Sequence, residues 1–318
     1  MGELVGASEP TINRIQRMFV ASYILPVTHD HLVLEAFRLV DRANFVPDSH
    51  ILEAYANKPL PLTPDGSATI SQPEIVGMML DNAGLTGNEN VLEVGTGSAY
   101  TAALLSRCAA RVTTIERIGA LAEQARINLA SNGYDNVHVI TGDGLAGWPE
   151  SAPYDLIIVT GAVLDVHSAL VEQLAEGGRL LIPVVNPNKS NTDYNKDILR
   201  ITRKGDQFTM EVVITGVGFV PLVSDLPGGF AEPDIVEEPD TEPTGEEVLA
   251  GFDSHLNSMG IQAVGIVNHF LETYPTQLGD MATVPALNAR AKEVLNFHLD
   301  SNQQSDQEFD DQTAHPPI

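Results

Sequence analysis

The sequence has a single cysteine, Cys108, which excludes an internal disulfide and any zinc site built from several cysteines. It has no apolar run long enough to span a bilayer, and "MGELVGASEPTINRIQ" lacks the basic-then-apolar pattern of a signal peptide. His138 and His167 are isolated, without a second ligand at metal-binding spacing. We therefore expect a cytoplasmic protein with no metal and no membrane contact, in which Cys108 is a small core residue.

Basic residues are also scarce, since 17 lysines and arginines stand against 43 acidic residues and give a formal charge of −26. The imbalance is uneven. From Asp225 to the C-terminus there are 18 acidic residues, and the only basic ones are Arg290 and Lys292. This excess of negative charge repels phosphate groups, so no nucleic-acid partner is expected, whereas a basic partner would be attracted.

Short apolar strands alternate with helices over residues 76–226. The strand patterns are "NVLEVG", "RVTTIE", "VHVITGD", "YDLIIVTGA" and "RLLIPVV", and the helical ones are "AYTAALLSRCA", "GALAEQARINLASNG" and "HSALVEQLAEGG". This alternation predicts an α/β fold with a doubly wound parallel sheet. The runs "ILRITR" and "FTMEVVI", which flank "KGDQ", predict a C-terminal antiparallel hairpin added to that sheet.

Other regions flank this core. Residues 1–75 are predicted to be mainly helical within 10–56 and to continue in the loop "NKPLPLTPDGSATISQP". Ser71 is predicted to cap the next helix in a capping box with Glu74, with Pro73 in the first turn and the helix ending near Gly84. After residue 226 we predict an acidic linker (227–245), a small helical extension (246–300) and a disordered tail (301–318).

The stretch "VLEVGTGSAY" carries the strongest chemical signal, because a strand enters Gly95-Thr-Gly97 immediately before a helix. Glycines there let the backbone approach a ligand closely and expose the amides of the helix start. The full Gly-x-Gly-x-x-Gly pattern of dinucleotide sites fails, because Tyr100 holds its last position. Glu93 precedes the glycines, and an acid there suits a cationic ligand better than a pyrophosphate.

Two further acids follow neighbouring strands. Glu116 ends "RVTTIE" and can accept both hydroxyls of a ribose, and Asp143-Gly144 follows "VHVITGD", where a carboxylate can accept a proton from an adenine amino group. Each acid alone is more often a helix cap, but together with Gly-x-Gly they indicate a nucleoside ligand. S-adenosyl-L-methionine fits better than NAD, since its sulfonium is positive.

A longer set of motifs resembles the protein-L-isoaspartate O-methyltransferase family. The matching stretches are "FVPDSHILEAYANKPLPL", "ATISQPEIV", "VLEVGTGSAYTAALLS", "VTTIER", "GYDNVHVITGDGLAGWPESAPYDLIIVTGA", "LAEGGRLLIPV" and "GFVPL". The resemblance covers roughly residues 30–224. It implies a class I S-adenosyl-L-methionine-dependent methyltransferase with a Rossmann-like sheet. Its expected substrate is the carboxylate of isoaspartyl residues in proteins or peptides, whose ester collapses to a succinimide.

The resemblance also implies roles for individual residues. Ser71 would be the active-site hydroxyl, with Thr69 beside it. Residues implied to bind the cofactor are Glu93, Gly95, Thr96, Gly97, Ser98, Glu116, Arg117, Asp143, Gly144 and Thr160. Residues implied to contact the substrate are Asn57, Ile70, Gln72, Val220 and Pro221, with Leu222 at the pocket edge.

The chain departs from the family pattern in four places. The family usually has Gly at Ala99, where a methyl group is expected to adjust packing only, and Asp at Asn57. The segment "TGAVLDVHS" replaces an Ala-rich, Pro-containing loop, and everything after Leu222 is additional. Two alternatives to general repair therefore stay open. One is a dedicated enzyme that methylates an aspartate of a ribosomally made precursor peptide, recognised through a basic leader, to form an aspartimide. The other is a non-catalytic adaptor that binds S-adenosyl-L-methionine.

Overall fold

The computed structural model describes residues 14–189 and 194–231. These residues belong to two compact units: one holds 14–46 together with the described part of 54–231, and the other holds Pro47–Glu53. In the second unit Asp48–Glu53 form a 3₁₀ helix. The predicted extension (246–300), the tail and the linker from residue 232 onward lie outside the described residues.

The N-terminal part is helical, as the apolar spacing predicts. Helix α1 (Arg14–Phe19) continues into a π-helical turn at Val20–Ile24, and α2 spans His31–Leu39. The carboxylate of Asp30 accepts the backbone N–H groups of Leu32 and Val33, at 2.8 and 3.3 Å, and so caps α2.

The segment predicted to be a plain loop before the next helix contains a short hairpin. Strands β1 (Leu60–Pro61) and β2 (Thr69–Ile70) pair antiparallel, so Thr69 has a fixed backbone position. Helix α3 (Pro73–Ala83) follows, with Pro73 in its first turn. It ends at Gly84, whose φ of 59° is left-handed, as the sequence predicts.

Seven strands form the central sheet in the order β5-β4-β3-β6-β7-β8-β9. Their bounds are β3 Asn90–Val94, β4 Arg111–Glu116, β5 Val137–Thr141, β6 Tyr154–Val159, β7 Leu174–Val185, β8 Lys196–Lys204 and β9 Gln207–Val217. The five strands β3 to β7 run parallel, and β8 and β9 join antiparallel. The predicted doubly wound sheet with an added hairpin is confirmed.

The helices between the strands are α4 (Tyr100–Cys108), α5 (Gly119–Ser131) and α6 (Ser168–Glu172). Helix α6 is shorter than "HSALVEQLAEGG" predicts, because β7 already begins at Leu174. Leu174 pairs with Tyr154 of β6, and the Tyr154 N–H donates to the carbonyl of Gln173 at 2.9 Å. Sheet pairing therefore satisfies backbone groups that the predicted helix would have used.

The described chain also remains folded past the predicted start of the linker at residue 227. The N–H of Leu164 donates to the carbonyl of Gly228 at 2.7 Å, and that of Ser224 donates to Phe230 at 2.9 Å. Residues 227–231 therefore belong to the core unit. Within the described residues no helix is both long and apolar enough to cross a membrane.

The strand order reverses between β3 and β6, which are adjacent although far apart in sequence. From β3 the chain continues outward through β4 on one side, whereas β6 leads outward through β7 on the other. Leu92, Val94 and Ile157 in these central strands are completely buried. A crevice forms beyond the carboxyl ends of strands at such a reversal, and it is the usual ligand position in sheets of this kind.

Candidate active site

A cavity of about 290 Å³ lies at this reversal point. The loops that follow β3, β4, β5 and β6 contribute to its walls, together with the β1–β2 hairpin and the segment after β9. Its lining residues are Asp65, Ser67, Ala68, Thr69, Val94, Gly95, Gly97, Ile115, Glu116, Arg117, Ile118, Gly144, Thr160, Gly161, Val220, Pro221, Leu222 and Val223. Separate parts of the sequence thus meet around a single space.

The glycine loop after β3 forms the floor of the cavity. Gly95 has a φ of 94°, and a Cβ there would lie 2.5 Å from Thr160 Oγ1. That hydroxyl donates to the carbonyl of Gly95 at 2.5 Å and so joins the ends of β3 and β6. Only glycine combines this backbone angle with such a close approach.

Glu116 at the end of β4 holds the glycine loop from the side. Its Oε2 accepts the N–H of Gly97 at 2.8 Å, and its Oε1 accepts the N–H of Ile118 at 3.0 Å. The carboxylate is largely buried yet lines the cavity. Each oxygen keeps a lone pair that can accept a ligand hydroxyl.

Glu93 lies beneath the loop and is completely buried. Its Oε2 is 2.5 Å from Thr114 Oγ1, which lies 2.6 Å from Thr96 Oγ1. Its Oε1 has no hydrogen-bond partner among the described residues. Burial raises the pKa of Glu93 from 4.5 to about 8, with a further rise from Glu116, against the lowering effect of the Thr114 hydroxyl. Glu93 therefore keeps its proton in the folded chain at neutral pH.

This burial gives a test by pH. A raised folded-state pKa contributes stability that is fully present below pH 4.5 and is lost as the pH rises toward 8. The Glu93→Gln variant lacks this titrating group, so its free energy of unfolding should fall less steeply than that of the parent chain between pH 5 and 8. We expect the two slopes to differ by up to about 1.4 kcal/mol per pH unit. Urea titrations at three pH values measure this, with the exposed Glu123→Gln as control. An unchanged slope in Glu93→Gln would contradict the assignment.

Asp143 follows β5 and holds two structural contacts. Its Oδ1 accepts the N–H of Leu145 at 3.0 Å, and its Oδ2 accepts the hydroxyl of Ser224 at 2.6 Å. The neighbouring Gly144 lines the cavity, and a Cβ there would lie 2.3 Å from Val94 Cγ1. Asp143 therefore fixes the segment that places Gly144.

The hairpin that carries Thr69 closes over the glycine loop. A Cβ at Gly97 would lie 3.1 Å from Leu62 Cδ1 and 3.9 Å from the carbonyl oxygen of Thr69. The turn of the hairpin is held by Asp65, whose carboxylate accepts both the N–H and the hydroxyl of Ser67, at 3.1 and 2.8 Å. The hairpin and the glycine loop thus lie close together along one wall.

The predicted capping box of Ser71 is wrong, because the N-cap position of α3 is Gln72 and its side chain makes no capping bond. Asn57 performs that role from outside the helix. Its Oδ1 accepts the N–H of Glu74 at 3.2 Å, and its Nδ2 donates to Glu74 Oε2 at 2.8 Å. Local spacing could not reveal this partner, which lies 17 residues upstream.

This contact explains why Asn suits position 57, where the resemblance leads one to expect Asp. An aspartate cannot donate to the Glu74 carboxylate and would repel it. We expect Asn57→Asp to lower the free energy of unfolding by about 1–2 kcal/mol at pH 7, and Asn57→Asp/Glu74→Gln to recover most of it. Urea denaturation of the single and double variants measures both. A single variant as stable as the parent chain would exclude the reciprocal cap.

The opposite wall is formed by the segment after β9. The N–H of Leu222 donates to the carbonyl of Ala162 at 2.7 Å, and the N–H of Ala162 donates to that of Val220 at 2.8 Å. A Cβ on Gly161 would lie 3.0 Å from Leu222 Cβ. The predicted pocket edge at Val220, Pro221 and Leu222 is therefore fastened to the loop after β6.

The structure places only part of the predicted set on the cavity surface. The predicted residues that line it are Thr69, Gly95, Gly97, Glu116, Arg117, Gly144, Thr160, Val220, Pro221 and Leu222. Those that are not among the lining residues are Asn57, Ile70, Ser71, Gln72, Glu93, Thr96, Ser98 and Asp143. Thr96 and Ser98 belong to the glycine loop but have buried side chains, and Ser71 follows the hairpin that carries Thr69.

Sequence reasoning missed several lining residues, including Asp65, Ser67, Ile118 and Val223. Asp65 and Ser67 precede Thr69 in a stretch whose turn residues indicated only a loop. Ile118 offered a sequence signal, because it is a large apolar residue two positions after the acid that ends β4, and the structure leaves it 40% exposed. Exposed apolar surface beside polar groups is typical of a ligand pocket.

These residues fit S-adenosyl-L-methionine. Gly95, Gly97 and Gly144 line the cavity without side chains, so a flat nucleoside can approach the backbone there. Glu116 supplies carboxylate oxygens suited to ribose hydroxyls. Asp65 and Glu116 make part of the lining acidic, which suits a positively charged sulfonium.

Comparisons with known proteins agree with this geometry. The family model for protein-L-isoaspartate(D-aspartate) O-methyltransferase matches residues 20–226. A protein-L-isoaspartate O-methyltransferase of Brucella anthropi is 44% identical over 207 residues, which are 65% of this chain and 90% of the relative. One of Methanoregula boonei is 47% identical over 194 residues, which are 61% of this chain and 85% of the relative.

Solved structures show the same fold. One protein-L-isoaspartate O-methyltransferase is 27% identical with a TM-score of 0.55, and the match covers 65% of this chain and 64% of that structure. A putative one from Plasmodium falciparum, in complex with S-adenosyl-L-homocysteine, is 21% identical with a TM-score of 0.56. That match covers 66% of this chain and 99% of the other, and at this identity it shows the fold alone.

The matched region includes every residue that lines the cavity, and the relatives from Brucella and Methanoregula are covered over most of their own length. The predicted enzyme class and methyl donor are confirmed: the chain is a methyltransferase that uses S-adenosyl-L-methionine. It belongs to the protein-L-isoaspartate(D-aspartate) O-methyltransferase family.

Proposed function

We propose that this enzyme transfers a methyl group to the carboxylate of isoaspartyl residues in proteins or peptides. The observation that carries the proposal is the close approach of the Thr69 hairpin to the glycine loop at Gly97, because it brings an acceptor wall beside a donor wall. The names of relatives that are 44% and 47% identical support the same acceptor.

The donor side is assigned to the glycine loop and its neighbours. When bound, S-adenosyl-L-methionine supplies an electrophilic methyl group on a positively charged sulfur. Gly95, Gly97 and Gly144 would allow its close approach, and Glu116 would accept its ribose hydroxyls. The carbonyl of Gly95 is held in place by Thr160, so this wall does not need to rearrange.

The acceptor side is assigned to Thr69 and Ser71. A carboxylate is already ionised at neutral pH, so the enzyme needs no strong base to create the nucleophile. Among the described lining residues there is no histidine or lysine, which is consistent with a reaction that moves no proton. Neutral hydroxyls can orient the carboxylate without neutralising the charge that makes it nucleophilic, so positioning supplies most of the rate.

The ester made in this way would convert to a succinimide without further help from the enzyme. The backbone nitrogen of the following residue attacks the ester carbonyl, a C–N bond forms, and methanol leaves with the amide proton. Water then opens the ring to aspartate or isoaspartate. Repeated cycles would therefore drain isoaspartate into ordinary aspartate.

A dedicated peptide-modifying role is the second candidate. It is favoured by the 92 residues after position 226, where the family match ends, and by the acidic residues of that segment. A basic leader peptide would be attracted to such a segment. In that role the substrate would be an ordinary aspartate of one precursor, and the ring would persist as an aspartimide.

The fate of the acceptor distinguishes the two roles. An isoaspartyl peptide is incubated with the full chain and S-adenosyl-L-methionine for many turnovers, and the peptides are separated by chromatography. Repair predicts steady conversion of isoaspartyl to aspartyl peptide through a transient succinimide. No loss of the isoaspartyl form would refute repair and direct attention to the dedicated role.

A further inference from the structure

The side chain of Arg42 is completely buried, yet among the described residues it forms no ion pair. Its guanidinium instead donates to four backbone carbonyls. Nη1 contacts Ala54 and Ala56 at 2.7 and 3.4 Å, and Nη2 contacts Lys58 and Ser71 at 3.1 and 3.2 Å. A buried cation without an anion is costly, so a fixed arrangement of acceptors must stabilise it.

These acceptors connect two parts of the acceptor wall. Three of the carbonyls belong to residues 54–58, and the fourth belongs to Ser71 itself. From the same short segment, Asn57 binds the N–H and the carboxylate of Glu74. Residues 54–58 are therefore connected to Ser71 through the Arg42 guanidinium and to Glu74 through Asn57. These two connections lie on either side of Gln72-Pro73.

Arg42 also touches the donor side. Its guanidinium carbon lies 5.9 Å from the ring centroid of Tyr100, the first residue of the helix that follows the glycine loop. The Tyr100 ring is buried, and its centroid lies 5.8 Å from the ring centroid of Phe45, which is three residues after Arg42. A cation over an aromatic face is attractive and gains strength where water is absent.

We propose that Arg42 is a positioning residue that sets the Ser71 hydroxyl relative to the glycine loop. The expected effect on catalysis rests on the proposed function. The effect of Arg42 on the position of the Ser71 backbone does not. A guanidinium can satisfy several carbonyls at once because its donors form a planar fork. The compact ammonium of lysine cannot span the same set, so Arg42→Lys keeps the charge and loses the geometry.

The test compares Arg42→Lys with Arg38→Lys, an exposed arginine of α2 paired with Glu35. For Arg42→Lys we expect kcat on an isoaspartyl peptide to fall about 10- to 100-fold, the scale of a small misplacement of a reacting group. The affinity for S-adenosyl-L-homocysteine, measured by calorimetry, should change less than about threefold, since no donor-site hydrogen bond is lost. Hydrogen exchange should accelerate in peptides covering 69–76 and not in β3 or β6.

Several outcomes would overturn the inference. These are normal kcat and exchange in Arg42→Lys, or a uniform rise in exchange with loss of ligand binding, which would mean general destabilisation. If the parent chain does not methylate the isoaspartyl peptide, the proposed function fails, and the exchange pattern alone still decides the role of Arg42.

The parent chain offers a measurement that does not depend on how the variant folds. In arginine-labelled protein saturated with S-adenosyl-L-homocysteine, one set of Nη protons should be resolved by NMR and exchange slowly, because the Arg42 guanidinium is buried and hydrogen-bonded. Fast exchange of every arginine side chain would contradict the arrangement.

Discussion

Gly95→Ala is expected to lower the affinity for S-adenosyl-L-homocysteine by more than about 100-fold and to destabilise the fold. A Cβ at this position would lie 2.5 Å from Thr160 Oγ1, and the backbone is left-handed with a φ of 94°. To make room, either the Gly95–Thr160 hydrogen bond breaks or β3 and β6 separate. Both changes move the loop that forms the cavity floor. A loss of about 2.8 kcal/mol of binding free energy, the scale of one or two hydrogen bonds to a charged ligand, already lowers the affinity about 100-fold.

Gly87→Ala is the matched control, because Gly87 has a φ of 95° but, in the part of the chain that the structure describes, no neighbouring atom lies within 4 Å of a Cβ placed there. It should cost only the backbone strain of about 1–2 kcal/mol and leave ligand binding unchanged. The double variant Gly95→Ala/Thr160→Ala removes the oxygen in the way, so it should recover part of the stability lost in Gly95→Ala. Calorimetry and urea titration measure these effects. Equal ligand affinity in the Gly95 and Gly87 variants would mean that the glycine loop does not form the donor site.

Ser71→Ala should lower kcat by about 100-fold, the scale of losing one positioned polar group in a catalytic site. It should leave the affinity for S-adenosyl-L-homocysteine nearly unchanged, because Ser71 is not among the residues that line the cavity described above. The measurement is the rate of methyl transfer to an isoaspartyl peptide at saturating donor.

Stability should not confuse this result. Among the described residues the Ser71 hydroxyl makes no hydrogen bond, and the start of α3 is capped by Asn57 instead. The free energy of unfolding of Ser71→Ala should therefore match that of the parent chain within about 0.5 kcal/mol. Ser131→Ala, at an exposed position in α5, serves as the control. Undiminished turnover in Ser71→Ala would exclude Ser71 from catalysis and leave Thr69 as the candidate.

Much of the fold could be predicted from the sequence. Buried parallel strands are visible as short apolar runs, and in the helices that connect them the apolar residues recur at helical spacing. The strand "NVLEVG" and its glycine loop are an example, since composition and turn chemistry agree there. Helix α6 was predicted too long, because its last residues have helical spacing but pair with Tyr154 in the sheet. Such long-range pairing overrides local propensity and is invisible in a short window.

The cavity lining was predictable where strand ends and glycine backbone geometry coincide, as at Gly95, Gly97 and Glu116. Where side chains act across long separations it was not. Asn57 caps a helix 17 residues away, and Arg42 reaches a carbonyl 29 residues away. Ala99 shows the same limit, because its φ of 70° means that the Ala found there strains the backbone rather than only the packing.

The most direct test of the central claim is methyl transfer from labelled S-adenosyl-L-methionine to two peptides that differ only in having isoaspartate or aspartate at one site. We predict label in the isoaspartyl peptide alone, released as methanol when the ester cyclises. Label in the aspartyl peptide alone, or in neither while S-adenosyl-L-homocysteine still binds, would contradict the assignment of isoaspartate as the acceptor.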